Sequence, residues 1–370
     1  MRVIVSGGGT GGHIYPALAI AERIMEDIPG SEVLYIGCDN GLENSIVPTT
    51  NIPFKTISAK GLPRKLTPAL IKSVFVNAKG VLEAKKYIKA FKPDLVIGTG
   101  GFVCGPTVLM ACLNHIPAMI HEQNAYPGMT NRMLSTRVNK VMINYPEAAK
   151  FFVKAKETVL TGLPVRVDVG KISKEDGCAK FGLDPHKKTV LITGGSRGAR
   201  TINRVCALGL SGLLADPDVQ VIFITGKAGY VETSLLIKES DSTVLRNDRL
   251  CFLEYSHDMP YALAAADVVI GRAGATFLAE IAMCGLPGIL IPYPYASDNH
   301  QQFNAQAVVD AGGGEMILDD EMTVPKLMST LEKFLKDDAY YQEKKTNMQR
   351  LARPAAMDDI MMLVNTFKNN

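Results

Sequence analysis

The short β-branched run Val3-Ile-Val5 ends in Gly7-Gly-Gly-Thr-Gly-Gly12, five glycines around one threonine, and then His13. Ala17-Leu-Ala-Ile-Ala21 follows, and the spacing predicts a helix over Tyr15–Ile28 with Pro16 in its first turn. A strand running through a glycine turn into a helix brings backbone N–H groups and the positive end of a helix dipole to one spot. That spot suits a phosphate or diphosphate. The plan restarts at Thr189-Val-Leu-Ile-Thr-Gly-Gly-Ser-Arg-Gly198. One such turn limits a local fold; two, each heading its own train of strands and helices, limit the whole chain.

Further strands are expected at Glu32–Gly37, Asp94–Thr99, Ala118–Glu122, Lys140–Asn144 and Thr158–Gly162, then at Val219–Thr225, Leu250–Glu254, Asp267–Gly271, Gly288–Pro292 and Glu315–Leu318. Helical stretches between them include Pro68–Phe91, Pro106–Asn114, Val324–Lys345 and Asp358–Lys368. Strands alternating with helices require parallel sheets covered on both faces. At 370 residues the chain exceeds one ordinary core. The expectation is α/β: two doubly wound Rossmann-like domains facing a central cleft, joined at the turn-rich Gly162-Leu-Pro-Val-Arg166.

A net charge of +3 gives no general attraction to nucleic acid. Seven cysteines are scattered without a Cys-x-x-Cys, which points to reduced thiols and a cytosolic setting. No signal peptide is expected ahead of the first strand, and no apolar run of about 18 residues offers a spanning helix. Residues 55–92 stand apart, with ten Lys/Arg against one acid, Glu83, interleaved with Leu62, Leu66, Leu70, Ile71, Val74, Phe75 and Val76. Such a segment is either a basic amphipathic surface for an anionic membrane or a core-packed helix with a solvated basic face.

Four glycine turns follow strands: Gly7–Gly12, Gly98–Gly101, Gly194–Gly198 and Gly271–Gly274. The first also fits Gly-x-Gly-x-x-Gly, but a dinucleotide site needs no histidine at the helix start and no second glycine turn at residue 194. No Gly-x-x-x-x-Gly-Lys-Ser/Thr is present. His13, at a helix N-terminus, is placed to stay neutral and accept a proton from a hydroxyl. His121-Glu-Gln-Asn124 ends an apolar strand and is expected to hydrogen-bond a polyhydroxylated ligand; a metal set is not completed. Glu280, among Phe277, Leu278, Ile281 and Ala282, can accept both hydroxyls of a ribose. Asp298-Asn-His-Gln-Gln302 offers sugar or phosphate contacts, and Asp319-Asp320 and Asp337-Asp338 read as surface charges.

Taken together and in order, Gly7–His13, Gly100-Gly-Phe-Val-Cys-Gly-Pro106, His121–Asn124 with Pro127-Gly128 and Thr130-Asn131, Gly194–Ala199, Arg272-Ala-Gly-Ala275 through Glu280, and Asp298–Gln301 resemble the MurG family of N-acetylglucosaminyltransferases. The resemblance covers nearly the whole chain. It implies the GT-B fold, with residues 1–163 as the acceptor and membrane-associated domain, 164–345 as the UDP-sugar domain, and a C-terminal helix in 346–370 returning to the first. It implies inverting transfer of GlcNAc from UDP-GlcNAc to undecaprenyl-diphospho-muramoyl-pentapeptide at the cytoplasmic face of the membrane, as a peripheral protein, with no cofactor and no metal. It implies that Ser196 and its loop hold the diphosphate and Glu280 the ribose. Ala275, Thr276, Phe277 and Leu278 would meet nucleotide or diphosphate, with the backbone near Ser256 over uracil and Gln301 on the sugar. Thr10, Gly11, Gly12 and Asn124 would close over the GlcNAc, Arg166 would reach the diphosphate, and His13 would be the base. Leu163 stands where the family usually has Asn, and Phe102 where Tyr is common. Two rival activities remain: another UDP-sugar enzyme of this architecture, such as a glycolipid synthase or a UDP-GlcNAc 2-epimerase, and a non-catalytic sugar-nucleotide-binding protein.

Overall fold

A computed structural model describes residues 1–61 and 68–368. Leu62 and Leu66 of the basic segment lie outside the described residues, as does the side chain of Leu70. The chain divides into two compact units, Met1–Pro164 with Arg353–Asn370, and Val165–Ala352.

In chain order the first unit runs β1 (Arg2–Gly7), α1 (Gly11–Asp27), β2 (Glu32–Cys38), α2 (Glu43–Ile46), β3 (Phe54–Ile57), α3 (Pro68–Phe91), β4 (Leu95–Gly100), α4 (Cys104–Leu113), β5 (Ala118–Glu122), α5 (Met129–Leu134), β6 (Lys140–Ile143) and β7 (Thr158–Leu160). The second follows with α6 (Lys174–Phe181), β8 (Lys188–Thr193), α7 (Arg200–Leu214), β9 (Val219–Ile224), α8 (Tyr230–Ser240), β10 (Leu250–Leu253), α9 (Met259–Ala265), β11 (Val268–Gly271), α10 (Ala275–Met283), β12 (Gly288–Leu290), α11 (His300–Asp310), β13 (Gly314–Met316), α12 (Val324–Lys336) and α13 (Asp338–Leu351). The chain then returns to the first unit as α14 (Ala356–Asn365).

Both sheets are parallel, in the orders β3-β2-β1-β4-β5-β6-β7 and β10-β9-β8-β11-β12-β13. Each strand direction is imposed by the helix that follows, and β-branched residues fill strands buried on both faces. In the first unit, Ile14, Ala17 and Ile20 of α1 share one apolar layer with Ile360, Met361 and Val364 of α14. Ala84 and Ile88 of α3 and Val108 of α4 join the other. The second unit packs α7 and α12 on one face of its sheet and α9, α10 and α11 on the other.

The strand β3 was not expected from sequence; Phe54-Lys-Thr-Ile57 is short and half polar, which an edge strand tolerates. The expected single helix Val324–Lys345 is two helices. Asp337 breaks it with extended backbone, and its carboxylate caps α13 by accepting the Tyr340 N–H, so Asp337 is a cap and not a loose surface charge. The first helix starts at Gly11, not Tyr15, so Gly11, Gly12 and His13 form its first turn and Pro16 lies beyond it. Thr10, extended at φ −143°, takes both the His13 and Ile14 N–H groups on its carbonyl.

The strand order of each sheet reverses between β1 and β4 and between β8 and β11. Ligands of open α/β sheets sit outside the carboxyl ends of the strands at such a switch. All four glycine turns follow these four strands.

Candidate active site

In the first unit the two turns interlock. The Gly8 N–H donates to the Gly100 carbonyl at 3.3 Å, and a Cβ on Gly101 would lie 2.2 Å from the Gly8 oxygen. Gly9, Gly100 and Gly101 have φ of +82°, +104° and +80°, which only glycine takes without strain. The His13 ring rests against Gly100, where a Cβ would meet its Cδ2 at 2.9 Å. Its Nδ1 lies 3.1 Å from the Gly8 carbonyl and 3.2 Å from Thr10 Oγ1. A carbonyl only accepts, so Nδ1 carries a proton, and a neutral ring then has its lone pair on Nε2. Thr99 Oγ1 ties the start of α1 to β4 by donating to the His13 carbonyl at 2.7 Å.

Sequence reasoning missed Glu43. It is fully buried, and its carboxylate accepts the N–H of Gly9 and of Cys38, each at 2.9 Å. The first turn is therefore wrapped around an internal anion, and the Gly9 amide is not offered to a substrate phosphate. A lone glutamate in Asp39-Asn-Gly-Leu-Glu43 reads as solvated, and nothing local signals a partner 34 residues away.

The His121–Asn124 stretch also departs from expectation. His121, Glu122 and Gln123 are buried and spent on the protein. His121 Nε2 donates to the Gly162 carbonyl at 2.8 Å, and Gln123 Nε2 donates to the Thr99 carbonyl at 2.8 Å and lies 3.0 Å from His121 Nδ1. The Glu122 carboxylate collects the N–H groups of Asn124 and Gly128 and the amides of Asn124 and Asn131 at 2.9–3.2 Å. Burial pushes His121 down to about 4 against the opposing Gly162 hydrogen bond, and pushes Glu122 above the usual carboxylate range despite its four donors. Only Asn124 of this stretch is partly exposed. The physical reason is packing: β5 is a central strand, so its carboxyl end is still roofed by β6, α5 and the turn at Gly162.

In the second unit, the turn Gly194–Gly198 leaves Ser196 and Arg197 exposed ahead of α7. A Cβ on Gly198 would strike the Thr225 carbonyl at 2.2 Å, which fixes this turn against the end of β9. Beside it lies a cavity of about 290 Å³ lined by Arg197, Arg200, Asn203, Arg204 and Glu232. At the other side of the switch, α10 opens at Ala275, with Thr276 and Phe277 in its first turn. Leu278 is turned into the core and donates its N–H to the Gly274 carbonyl, so it has nothing left for a ligand.

Glu280 is buried on α10, and both its oxygens are taken by Arg166, from Nε at 2.7 Å and Nη2 at 3.0 Å. Arg166 is thus on the expected ribose carboxylate and not at the diphosphate turn. Gln301 Oε1 accepts the Tyr293 N–H at 3.0 Å, while Gln302 is exposed. Just before α11, Asp298 and Asn299 both adopt left-handed backbone, φ +55° and +52°, a strained pair of the kind that clusters at functional loops. Ser256 is buried, its Oγ accepting the Asp258 N–H at 3.0 Å. Asp319 is not a surface charge: it pairs with Arg272 of the fourth turn and accepts Thr201 Oγ1–H of α7 at 2.7 Å. Arg272 also donates to the Ile291 and Pro292 carbonyls, so one guanidinium ties the α10 turn to β12 and α7.

Two parallel Rossmann-like domains with ligand-type turns at their switch points are the architecture of the GT-B fold. The glycosyltransferase family 28 N-terminal domain matches residues 3–143, and the family 28 C-terminal domain matches residues 189–360. The chain is 48% identical to the UDP-N-acetylglucosamine–N-acetylmuramyl-(pentapeptide) pyrophosphoryl-undecaprenol N-acetylglucosamine transferase of Desulfitobacterium hafniense strain Y51, over 98% of each chain. It is 42% identical to the enzyme of that name from Desulforamulus reducens, again over 98% of each. The crystal structure of Acinetobacter baumannii MurG superposes with a TM-score of 0.80 at 28% identity, covering 99% of both chains. The S. aureus MnaA–UDP structure, at 14% identity and a TM-score of 0.68, shares the fold alone. The chain belongs to the MurG family of glycosyltransferases.

Proposed function

We propose that this enzyme transfers GlcNAc from UDP-GlcNAc to the muramoyl 4-hydroxyl of undecaprenyl-diphospho-muramoyl-pentapeptide, converting lipid I to lipid II in peptidoglycan synthesis. The observation that carries the proposal is 48% identity to a transferase of that name across both domains, end to end. The acceptor hydroxyl attacks the anomeric carbon directly and inverts it. His13 Nε2 takes the hydroxyl proton as the bond to carbon forms, and UDP leaves with the bonding pair. Thr10, Gly11, Gly12 and Asn124 contact the transferred sugar and the acceptor. Ser196, the α7 N-terminus and the first-turn amides of α10 stabilise the departing diphosphate. Glu280 binds the ribose once Arg166 has moved from it to the phosphates, the main chain at Ser256 meets uracil, and Gln301 meets the GlcNAc.

The test is UDP release from UDP-GlcNAc with and without a prenyl-diphospho-muramoyl acceptor. Release that needs the acceptor, with a disaccharide product, is expected. Conversion of UDP-GlcNAc without acceptor would indicate an epimerase, and binding with no release in either arm a non-catalytic protein.

No helix among the described residues is long and apolar enough to cross a membrane. Association with the cytoplasmic membrane face is assigned to α3. Its inner side, Gly80, Ala84 and Ile88, is buried, while Ile71, Val74, Phe75 and Leu82 form an exposed apolar stripe. Lys79 lies along that face, and Lys85, Lys86 and Lys89 continue it toward the C-terminus. An apolar stripe flanked by lysines suits an anionic bilayer surface.

A further inference from the structure

We propose that Glu43 is a positioning residue for the transfer, acting on His13 through the Gly8–Gly9 peptide group. The inference rests on His13 being the base.

The Gly9 N–H that Glu43 Oε2 accepts at 2.9 Å belongs to the same planar amide as the Gly8 carbonyl. That carbonyl is the acceptor for His13 Nδ1–H at 3.1 Å. One rigid group therefore joins a buried carboxylate to the imidazole, in the order carboxylate, N–H, C=O, H–Nδ1. The second carboxylate oxygen is anchored on the Cys38 N–H at the end of β2, so the amide plane is referenced to the sheet.

Two consequences follow. The carbonyl is held facing His13, which keeps the Nδ1–H tautomer and leaves Nε2 as the basic atom. The negative charge on the N–H side also polarises the amide, enriching the carbonyl oxygen and stabilising the imidazolium formed when the ring takes the acceptor's proton. The turn is shaped around this carboxylate: a Cβ on Gly8 or on Gly41 would lie 2.3 Å from Glu43 Oε1. Among the described residues Glu43 has no ion-pair partner that would neutralise it. The titratable side chains facing it are the Tyr35 hydroxyl and, beside its anchor, the Cys38 thiol. Burial raises the pKa of both, which favours their neutral forms.

Glu43→Gln keeps the size and removes the charge, and its single carbonyl oxygen can accept only one of the Gly9 and Cys38 N–H groups. The expected result is a fall in kcat of about tenfold, the lower end of what losing an outer hydrogen-bond partner costs a metal-binding histidine. The KM for UDP-GlcNAc should stay unchanged, and the acid limb of the kcat–pH profile should move to lower pH. In a His13→Ala background the same substitution should cost nothing more. A multiplicative loss in both backgrounds with an unmoved acid limb would make Glu43 a purely structural residue and overturn the relay alone. Wild-type turnover by His13→Ala itself would remove the base and the relay together. Imidazole ¹⁵N shifts of His13 in the unsubstituted protein give a test that needs no variant to fold: a neutral ring protonated on Nε2 overturns the proposal.

Discussion

Arg166 clamps Glu280 through two nitrogen donors, at 2.7 and 3.0 Å, with the Glu280 side chain 5% exposed and the Arg166 side chain 47% exposed. A buried carboxylate needs its charge met, and a forked guanidinium meets both oxygens at once. In the binding mode proposed above, a ribose diol takes the same oxygens. On that proposal nucleotide binding at Glu280 is an exchange, and it costs little only when the displaced Arg166 finds a phosphate.

Uridine and UDP should separate the two halves of that exchange. Uridine breaks the pair without giving Arg166 a new partner, whereas UDP supplies one. Arg166→Met is expected to weaken UDP by roughly tenfold or more while leaving uridine unchanged or tighter, on the scale of a charge-assisted hydrogen bond. Glu280→Gln should weaken both. Calorimetric titration of the four combinations checks this; equal losses of uridine and UDP in Arg166→Met would mean that Arg166 serves only the fold.

The parallel α/β class, the four glycine turns and the elements that carry them were legible because each is a local pattern. Val3–Val5 is a buried strand by composition, and Gly194–Gly198 is a turn by its glycines. The misread polar residues of the site share one cause: burial completed by partners that the fold supplies. Asp319 looks like surface charge until α7 and the Arg272 turn close on it. His121–Gln123 look like a binding strip until α5 and Gly162 roof them over. Glu43 becomes part of the site only when β2 lies beside β1. Charged and polar side chains declare little about their burial on their own, since what makes burial tolerable is a partner that the fold supplies.

Stability should fall on acidification through His121. Its folded value is depressed to about 4 from 6.5, so the unfolded chain binds more protons in that interval. The contribution is fully present above pH 6.5 and is lost as pH falls toward 4, by about 3 kcal/mol at most. Glu122 acts oppositely: its raised value favours the folded state at low pH, and that contribution is lost as pH rises. Urea denaturation of the wild type and His121→Gln at pH 7 and pH 4.5 tests the histidine. The wild type should lose more stability between the two pH values than the variant, and parallel losses would refute the assignment.

Vesicle binding should depend on the exposed face of α3. Phe75 is 71% exposed and Leu82 68%, so replacing both with serine removes apolar surface without opening the core. Burial of such side chains is worth about 1.5–3 kcal/mol each, so the double variant should sediment with anionic vesicles at least tenfold more weakly. Its Tm and its KM for UDP-GlcNAc should be unchanged. Added salt should weaken the wild type as lysine contacts are screened. Undiminished sedimentation of the variant would move the membrane contact elsewhere.

Gly100→Ala should show whether the placement of His13 matters to catalysis. At φ +104° an alanine is strained, and its Cβ would stand 2.9 Å from His13 Cδ2 and 3.1 Å from Nε2. Neither atom can yield easily, because the His13 carbonyl is held by Thr99 and the ring by the Gly8 carbonyl. The ring must rotate off its seat or the turn must open. A displacement on the order of 1 Å at a reacting group costs about 100-fold in rate. The residues proposed for the nucleotide lie in the second unit, on Glu280, Ser196 and Ser256. Turnover should therefore fall sharply while calorimetric affinity for UDP stays as in the wild type. Near-normal kcat in a folded Gly100→Ala protein would show that the ring need not sit where it does, and the base assignment would fall with it.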